Sequence, residues 1–394
     1  MKKKISIVGG GTAGLFLAAF LNTKIYDVTI FEQKSSLGRK FLVAGDGGFN
    51  LTHSEELSTL KLRYTPAQFL DLALDHFSNT DLRAWLLDLG IPTFIGSSGR
   101  VFPEKGIKPI EVLNRIKEYL IDKEVKFEFN KTFTNWDKES FIEFNSKEII
   151  KSDYVVFALG GSSWKVTGSD GFWIHKFDQK GIDILPFTAS NCSFKIKWPE
   201  KFIQKNEGKP FKNISIFIED KVQKGEVVIT KFGIEGNAIY GLSSIIQDNL
   251  IAKSKVLIYI DFKPTYTLSN LIEKISSSTL NRTLTLKEKI KLSSVQVDLI
   301  KYTLTKEEFL DIQTLAQFIK QFPLQVIGSA PIDEAISTMG GINVNSVDTH
   351  FEFKNLKNYF CLGEMLDWNA PTGGYLIQAC ASMGAYLAHQ LNNK

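Results

Sequence analysis

The sequence predicts an α/β protein interrupted by an antiparallel β insert and a helical stretch. Three observations carry this. KISIVGGGTAGLFLAAFL (4–21) reads as strand, glycine turn and helix, and DVTIFE (27–32) follows as a second strand, so the chain opens with a βαβ unit. DYVVFALGG (153–161) is a continuous apolar run ending in glycines, the pattern of a strand buried on both faces. From about residue 190 the pattern changes to short alternating strands, and after Pro323 it returns to glycine-rich turns, a short strand and a last helix.

Taken in order, residues 66–90 place Phe69, Leu72, Ala73, Phe77, Leu82 and Leu86 at helical spacing. The Gly-Pro-rich piece IGSSGRVFPEKGIKP (95–109) breaks that pattern, and a helix over 109–122 follows. VKFEF (125–129) and SFIEF (140–144) read as strands. NCSFKIKW, NISIFIED, GEVVIT and KVLIYIDF form the alternating insert between 191 and 262. Residues 268–322 contain no glycine or proline and read as helical. NYFCLG (358–363) is a short strand, and LIQACASMGAYLAHQL (376–391) is a helix of small and apolar residues. No repeat or low-complexity tract interrupts the chain. The predicted boundaries are one domain over 1–188 and 327–394, a β insert over 189–266 and a helical insert over 267–326.

With 394 residues, 43% of them hydrophobic and 23% charged, the chain has the composition of an ordinary globular protein of two or three domains. The start, three lysines before an apolar run, resembles a secretory leader, but Gly9, Gly10 and Gly11 interrupt the run and a strand follows directly. No other segment reaches the roughly 18 continuous apolar residues of a membrane span. Cys192, Cys361 and Cys380 are isolated, with no CxxC and no histidine at ligand spacing. The expectation is a cytoplasmic protein with no disulfide framework and no metal site. The net charge of +4 is uneven: residues 189–326 carry 20 of the 47 Lys and Arg but only 14 of the 43 Asp and Glu. Such a middle segment is ordinarily a solvated lysine-rich surface, and it also suits an anionic partner such as RNA.

Gly9-x-Gly11-x-x-Gly14 closes the first strand and opens the helix, and Glu32 ends the next strand. Gly9 permits the tight turn, Gly11 lets the backbone approach a pyrophosphate, and Gly14 allows the helix to pack closely on the strand. The helix start offers oriented N–H groups and a favourable dipole to the anion. Glu32 can accept hydrogen bonds from a ribose diol. A dinucleotide is therefore the expected ligand. The far end of the chain discriminates between nicotinamide and flavin. Gly363-Glu364, then APTGGY (370–375) and a helix starting near Gly373, would bring a second helix N-terminus to the cofactor. Reduction of an isoalloxazine puts negative charge on its pyrimidine edge, which such a helix end suits. FAD is therefore favoured over NAD.

The motifs VGGGTAGL (8–15), GRKFLVAGDGGFNLTHSE (38–55), GRVFP (99–103), ALGGSSWKVTGSDG (158–171), FGIEGNAIYGLSS (232–244), MGGI (339–342) and GEMLDWNAPTGGYLIQACASMGA (363–385) run in order along nearly the whole chain. In them the sequence resembles the BaiN/RdsA-like family of NAD(P)/FAD-dependent oxidoreductases, which are flavoproteins. The resemblance implies a Rossmann-like FAD-binding domain built from both termini, with an inserted antiparallel β-barrel-like domain and a small helical domain. It places Gly9, Gly11, Thr12, Ala13 and Gly14 at the pyrophosphate, Glu32 and Gln33 at the adenosine ribose, and Arg39 and Lys40 near the phosphates. It further places Ala44, Gly45 and Asn50 against the flavin, with Phe133, Ala158 and Gly160 beside the cofactor. Gly363 and Glu364 fall by the ribityl chain, and Gly373, Gly374 and Tyr375 at the pyrimidine side. Two departures mark a distinct branch. Gly48-Phe49 stands where many relatives carry Arg-Cys, so position 49 offers no thiol, and Ala158-Leu159-Gly160-Gly161 replaces Ala-Thr-Gly-Gly.

No second strand-GxGxxG-helix unit is present, because SSWKVTGSDG lacks the helix opening and the downstream acid. NAD(P)H would therefore reach the flavin transiently, as a co-substrate. His53, Tyr375 and Glu364 are candidate proton carriers, each with an ordinary alternative: a turn or cap residue, a packing ring and a ribityl acceptor. The catalytic acid is left open. The leading function is hydride transfer between a small-molecule substrate and FAD. The alternatives are reduction of uridine in ribosomal RNA, with the basic insert (Lys195 to Lys231 especially) gripping phosphates and Phe49 or Trp368 as stacking aromatics, and a non-catalytic FAD protein.

Overall fold

The computed structural model describes residues 1–43, 49–137, 139 and 141–394. Ala44 and Gly45 of the expected flavin loop lie outside the described residues. The chain divides into two compact units, Met1–Ala189 with Ile332–Lys394, and Ser190–Pro331.

The first unit is built on a parallel five-stranded sheet in the order Tyr359–Cys361, Tyr154–Phe157, Lys3–Val8, Tyr26–Glu32, Lys126–Phe129. Ile5, Ile7, Val8, Val155, Val156 and Phe157 are buried, which is why these strands read as continuous apolar runs rather than alternations. The opening strand lies between the second strand in the chain and the late strand Tyr154–Phe157, so strand order reverses beside it. Sheets of this kind bind ligands in the crevice outside the carboxyl ends of the strands at such a reversal. That point is occupied by residues 9–11 and 158–160.

Helix Thr12–Phe20 and the last helix, Tyr375–Asn392, pack closely where Gly384 meets them: a Cβ on Gly384 would lie 2.6 Å from the Leu17 nitrogen. The chain ends are tied as well. The Tyr26 hydroxyl donates to the Leu391 carbonyl (2.6 Å), and the Asn392 amide donates to the Phe20 carbonyl (3.0 Å). The expected helix over 109–122 is present as Pro109–Asp122, with proline in its first turn, where a missing N–H costs nothing. The helical reading of 66–90 resolves into Asp71–His76 and Asn79–Asp88, the second opened by a reciprocal Ser78–Asp81 capping box.

The second unit is a closed six-stranded barrel in the order Phe194–Ile196, Gly233–Glu235, Lys221–Ile229, Pro210–Ile218, Val256–Asp261, Phe322–Ser329. Its strands pair antiparallel. Closure removes the exposed sheet edges. The closing strand, Phe322–Ser329, contains Pro323, and this is why residues after 322 read as turns rather than as a strand. Pro323 pairs with Tyr259 on one side, while pairing on the other side begins only at Val326, so its missing N–H breaks no bond there. Two helices within the alternating insert, Glu200–Asn206 and Ser243–Lys253, also escape the strand reading. Helices Leu268–Ser276, Ser294–Thr303 and Ile312–Lys320 fill the stretch expected to be helical, and Thr267, Ser293 and Asp311 cap them. Among the described residues no helix is long and apolar enough to cross a membrane.

Barrel closure rests on a contact without side chains. A Cβ on Gly233 would lie 1.8 Å from the Phe194 carbonyl oxygen and 2.7 Å from the Ile196 nitrogen. Gly233→Ala should therefore cost about 3 kcal/mol or more, since neither backbone atom can swing away. Gly328→Ala, whose Cβ meets only Lys195 Cδ at 3.6 Å, should cost under about 1 kcal/mol. Urea unfolding of both variants checks this, and equal midpoints would contradict it.

Candidate functional site

The glycine turn after the first strand is shaped by backbone crossing backbone. Gly9 has φ +114°, and a Cβ there would lie 2.2 Å from the Ala158 carbonyl oxygen. A Cβ on Gly14 would lie 2.2 Å from the Gly9 carbonyl oxygen. Gly11 differs: a Cβ on it would meet nothing within 4 Å, so space stands open over the start of helix Thr12–Phe20. Thr12 and Ala13 form the first turn of that helix, where N–H groups have no intrahelical acceptor. Gly11, the N-cap, supplies no side-chain bond to them. The helix start thus presents an open, donor-lined surface.

The C-terminal motif folds onto this turn. Gly363, with φ +76°, would place a Cβ 2.9 Å from the Ala13 Cβ. Glu364 reaches Lys40 instead of standing free: Lys40 Nζ lies 2.8 Å from Glu364 Oε2 and donates to Ser163 Oγ at the same distance. The other oxygen, Oε1, accepts the Thr338 N–H (3.1 Å). Lys40 and Glu364 were expected to serve the phosphates and the ribityl chain separately; the fold joins them in one ion pair.

Glu32 ends the second strand, with Oε2 accepting the Gly10 N–H (2.9 Å) and Oε1 the Lys34 N–H (2.8 Å). Burial raises its carboxyl above the usual value, and these two N–H bonds oppose the rise. A carboxylate has about four acceptor sites, so capacity for a ribose diol is left. The Gln33 amide donates to the Gly168 carbonyl (2.5 Å). Arg39 opens helix Arg39–Val43, and its Nε is buried without a hydrogen-bond partner among the described residues. An orphaned guanidinium N–H of this kind is costly and fits an anion. Gly160, with φ +76°, follows Ala158 at the strand end, and its carbonyl accepts the Trp173 indole N–H (3.0 Å). Phe133 begins strand Phe133–Trp136, with its ring in the core against Phe157 (5.4 Å). Phe49 packs edge-on to Phe41 (4.9 Å), and Trp368 is buried with its N–H on the Gly363 carbonyl (2.8 Å); both aromatics are core residues. Asn50 is half-buried.

At the start of the last helix, Gly373 and Gly374 have φ +128° and +97°, and Gly374 is the N-cap. A Cβ on Gly374 would meet Thr52 backbone at 2.5 Å, which ties this helix start to strand Thr52–His53. Tyr375 donates to Glu55 Oε1 (2.7 Å), while Arg63 grips Glu55 with Nε (3.1 Å) and Nη2 (2.8 Å). The Tyr375 ring stacks on His53 at 5.4 Å and 15°. Burial, then the bond to Glu55, pushes the Tyr375 phenol well above its ordinary value, so it keeps its proton at neutral pH. His53 is engaged at both nitrogens. Nδ1 lies 3.2 Å from the Glu55 N–H and accepts it, which leaves the hydrogen on Nε2 to donate to the Ser98 carbonyl (3.0 Å). In this arrangement His53 orients a turn and stacks on Tyr375. Sequence reasoning missed Glu55 and Arg63. The one local signal was Glu55, an acid two residues past His53 in the loop already singled out.

Site and fold together define a class: a Rossmann-type α/β architecture with an open, N–H-lined glycine turn at the carboxyl ends of its parallel strands. The chain belongs to the HI0933-like family, whose description as the HI0933-like protein Rossmann domain matches residues 3–390. It is 24% identical to the ribosomal RNA dihydrouridine synthase of Haemophilus influenzae, over 94% of both chains. It is also 24% identical to the 3-dehydro-bile acid delta(4,6)-reductase of Clostridium scindens, over 98% of both. These relatives bear out the resemblance seen in the motifs. Among solved structures, the 3-ketosteroid delta1-dehydrogenase of Sterolibacterium denitrificans shares the fold, with TM-score 0.51, 11% identity and full coverage of both chains.

The Glu55 cluster generates a pH prediction. Burial raises the Glu55 carboxyl, but hydrogen bonds from Arg63 and Tyr375 outweigh it and hold it below the ordinary value. A depressed carboxyl contributes stability that is fully present above its unfolded pKa and lost as pH falls through the folded one. In Glu55→Gln the acid side of the melting-temperature profile should be shallower than in the parent. Near neutral pH the variant should melt roughly 2 °C or more lower, as about 1 kcal/mol implies for a chain of this size. Parallel profiles from neutrality down through the carboxylate range would contradict the assignment.

Proposed function

We propose that the protein is an FAD-dependent reductase that adds two hydrogens across a carbon–carbon double bond conjugated to a carbonyl, with NAD(P)H as transient electron donor. The observation that carries this is the contact of Gly363 with Ala13, by which the C-terminal motif reaches the N-terminal glycine turn. Two relatives add to it. One is named for dihydrouridine formation in ribosomal RNA and the other for delta(4,6) reduction of a 3-dehydro bile acid. The chemistry common to those names is saturation of a carbonyl-activated alkene.

The residues fit the cofactor. The open face over Gly11, with the N–H groups of Thr12 and Ala13, would hold the pyrophosphate, and Arg39 would bring its unpaired Nε to the same anion. Glu32, with Gln33 beside it, would hold the adenosine ribose, and Ala158, Gly160 and the Phe133 main chain would border the nucleotide. Asn50, Gly373, Gly374 and Tyr375 would border the isoalloxazine, with the helix start directing N–H groups at its pyrimidine edge. When bound, FAD supplies reversible hydride exchange at one ring position. The protein's part is to hold that ring rigidly, to keep the Tyr375 proton in place through its bond to Glu55, and to leave access for donor and substrate in turn. Among the described residues there is one parallel sheet, which supports alternating use of a single nucleotide-lined site.

Two measurements test the reading. Gly11→Ala should fold with about 1 kcal/mol of lost stability or less, because its Cβ meets nothing in the protein, yet should bind FAD at least tenfold more weakly. Equal FAD affinity in a folded variant would show that nothing lies over Gly11. In anaerobic stopped-flow, NADH or NADPH should bleach the flavin band of the loaded protein. A 4-en-3-one steroid or unmodified ribosomal RNA should then restore it, with a two-dalton gain in the product. Bleaching by neither nicotinamide, or return of colour only with oxygen, would contradict the proposal.

A further inference from the structure

The second unit carries a cavity of about 640 Å³, lined by none of the residues named for the cofactor. Three separate stretches of chain contribute to it: residues 209, 210, 212 and 213, then Lys263, then residues 287 and 291–296. Lys209, Lys212, Lys263, Lys287 and Lys291 all line it, and no Asp, Glu or aromatic residue does. None of the five lysines makes an ion pair among the described residues. Lys209 donates to Asn206 Oδ1 (3.1 Å), a neutral acceptor. Burial alone pushes the half-buried Lys263 ammonium below its ordinary value, with no carboxylate to offset it.

The backbone bends to form this wall. A β-bulge between Phe211 and Ile214 sets Lys212 and Asn213 on the rim, with Asn213 at φ +55°. A π-helical turn, Thr285–Lys289, carries Lys287, and Lys291 itself has φ +60°. Helix Ser294–Thr303 starts at the cavity. Its cap Ser293 satisfies the Gln296 N–H (3.4 Å), which leaves the first-turn donors of Ser294 and Val295 without an intrahelical acceptor. Uncompensated ammonium groups converging on one concavity repel one another unless an anion lies between them.

We propose that this cavity binds the phosphate backbone of an RNA strand without reading its bases. Lysines present point charges suited to phosphates, and the lack of an aromatic or arginine platform leaves nothing on which a base would stack. Its volume is within the range of ligand sites, and the several lysines spread around it match successive phosphates better than one compact anion. The inference does not rest on the flavin reading, and its test does not use turnover.

Anisotropy of a labelled oligouridine, titrated with the purified protein at several salt concentrations, tests it. With five contacts the log–log salt slope should approach about −3.5. The triple variant Lys212→Gln, Lys287→Gln, Lys291→Gln should shorten the slope by about 2 and weaken binding at least tenfold at low salt. A control triple, Lys224→Gln, Lys231→Gln, Lys255→Gln, removes the same charge from exposed positions that do not line the cavity and should change affinity less than about threefold. Melting curves and circular dichroism confirm that both variants fold. Equal weakening by the two triples, or no RNA binding by the parent, would overturn the proposal. So would phosphorus NMR in which tripolyphosphate occupies the cavity while RNA does not bind, since that assigns the site to a soluble polyphosphate.

Discussion

The first unit depends on the absence of side chains where Gly9 crosses Ala158 and where Gly14 passes over Gly9. At both crossings a Cβ would sit 2.2 Å from a carbonyl oxygen. No rotamer change relieves such a clash, because the opposing atom is backbone. The close approach brings the end of the first strand against the end of its late neighbour Tyr154–Phe157, and so forms the crevice at the reversal of strand order. It also draws helix Thr12–Phe20 down onto the sheet, with its free N–H groups at the crevice mouth. Without those two glycines the cradle over Gly11 has no floor.

The C-terminal segment completes what the N-terminal segment begins. Helix Tyr375–Asn392 lies along helix Thr12–Phe20 through Gly384, and polar groups secure its inner face: the Gln378 carbonyl accepts from Thr52 Oγ1 (2.7 Å), and the Ser382 hydroxyl donates to the Phe77 carbonyl (2.6 Å). Buried polar groups so satisfied specify a single register, because any slip leaves them unpaired. Register in turn sets where Gly373, Gly374 and Tyr375 fall. Cys380, partly buried on the same helix, is pushed up to about 12 by burial, with Glu364 adding to the rise. It stays a neutral thiol, a packing group rather than a nucleophile.

Much of this was legible in the sequence, and the part that was not has a common physical character. The glycine turn, the strand ending in Glu32, the buried strand at 154–157 and the helix from Pro109 were readable because each depends on local backbone preference or on burial periodicity. Pairings over long separations were not. Lys40 and Glu364 are more than 300 residues apart, and nothing in either neighbourhood announces the ion pair. Tyr375, Glu55 and Arg63 form one cluster because Gly374 lets the last helix rest on Thr52, which is a tertiary event. The barrel's closing strand was hidden by Pro323, a residue that ordinarily ends a strand and here sits where one side is unpaired. The basic bias of the middle segment was visible, but that five of its lysines line one cavity depends on a bulge and a π-turn that composition does not encode.

The central claim is that the two ends of the chain together hold one FAD. The most direct measurement is the absorbance spectrum of the purified protein, before and after dialysis against FAD, with the released cofactor identified by mass. The account predicts flavin bands, one FAD per chain, and loss of the bands from the protein fraction when the protein is unfolded and desalted. A colourless protein that takes up no added FAD would contradict it.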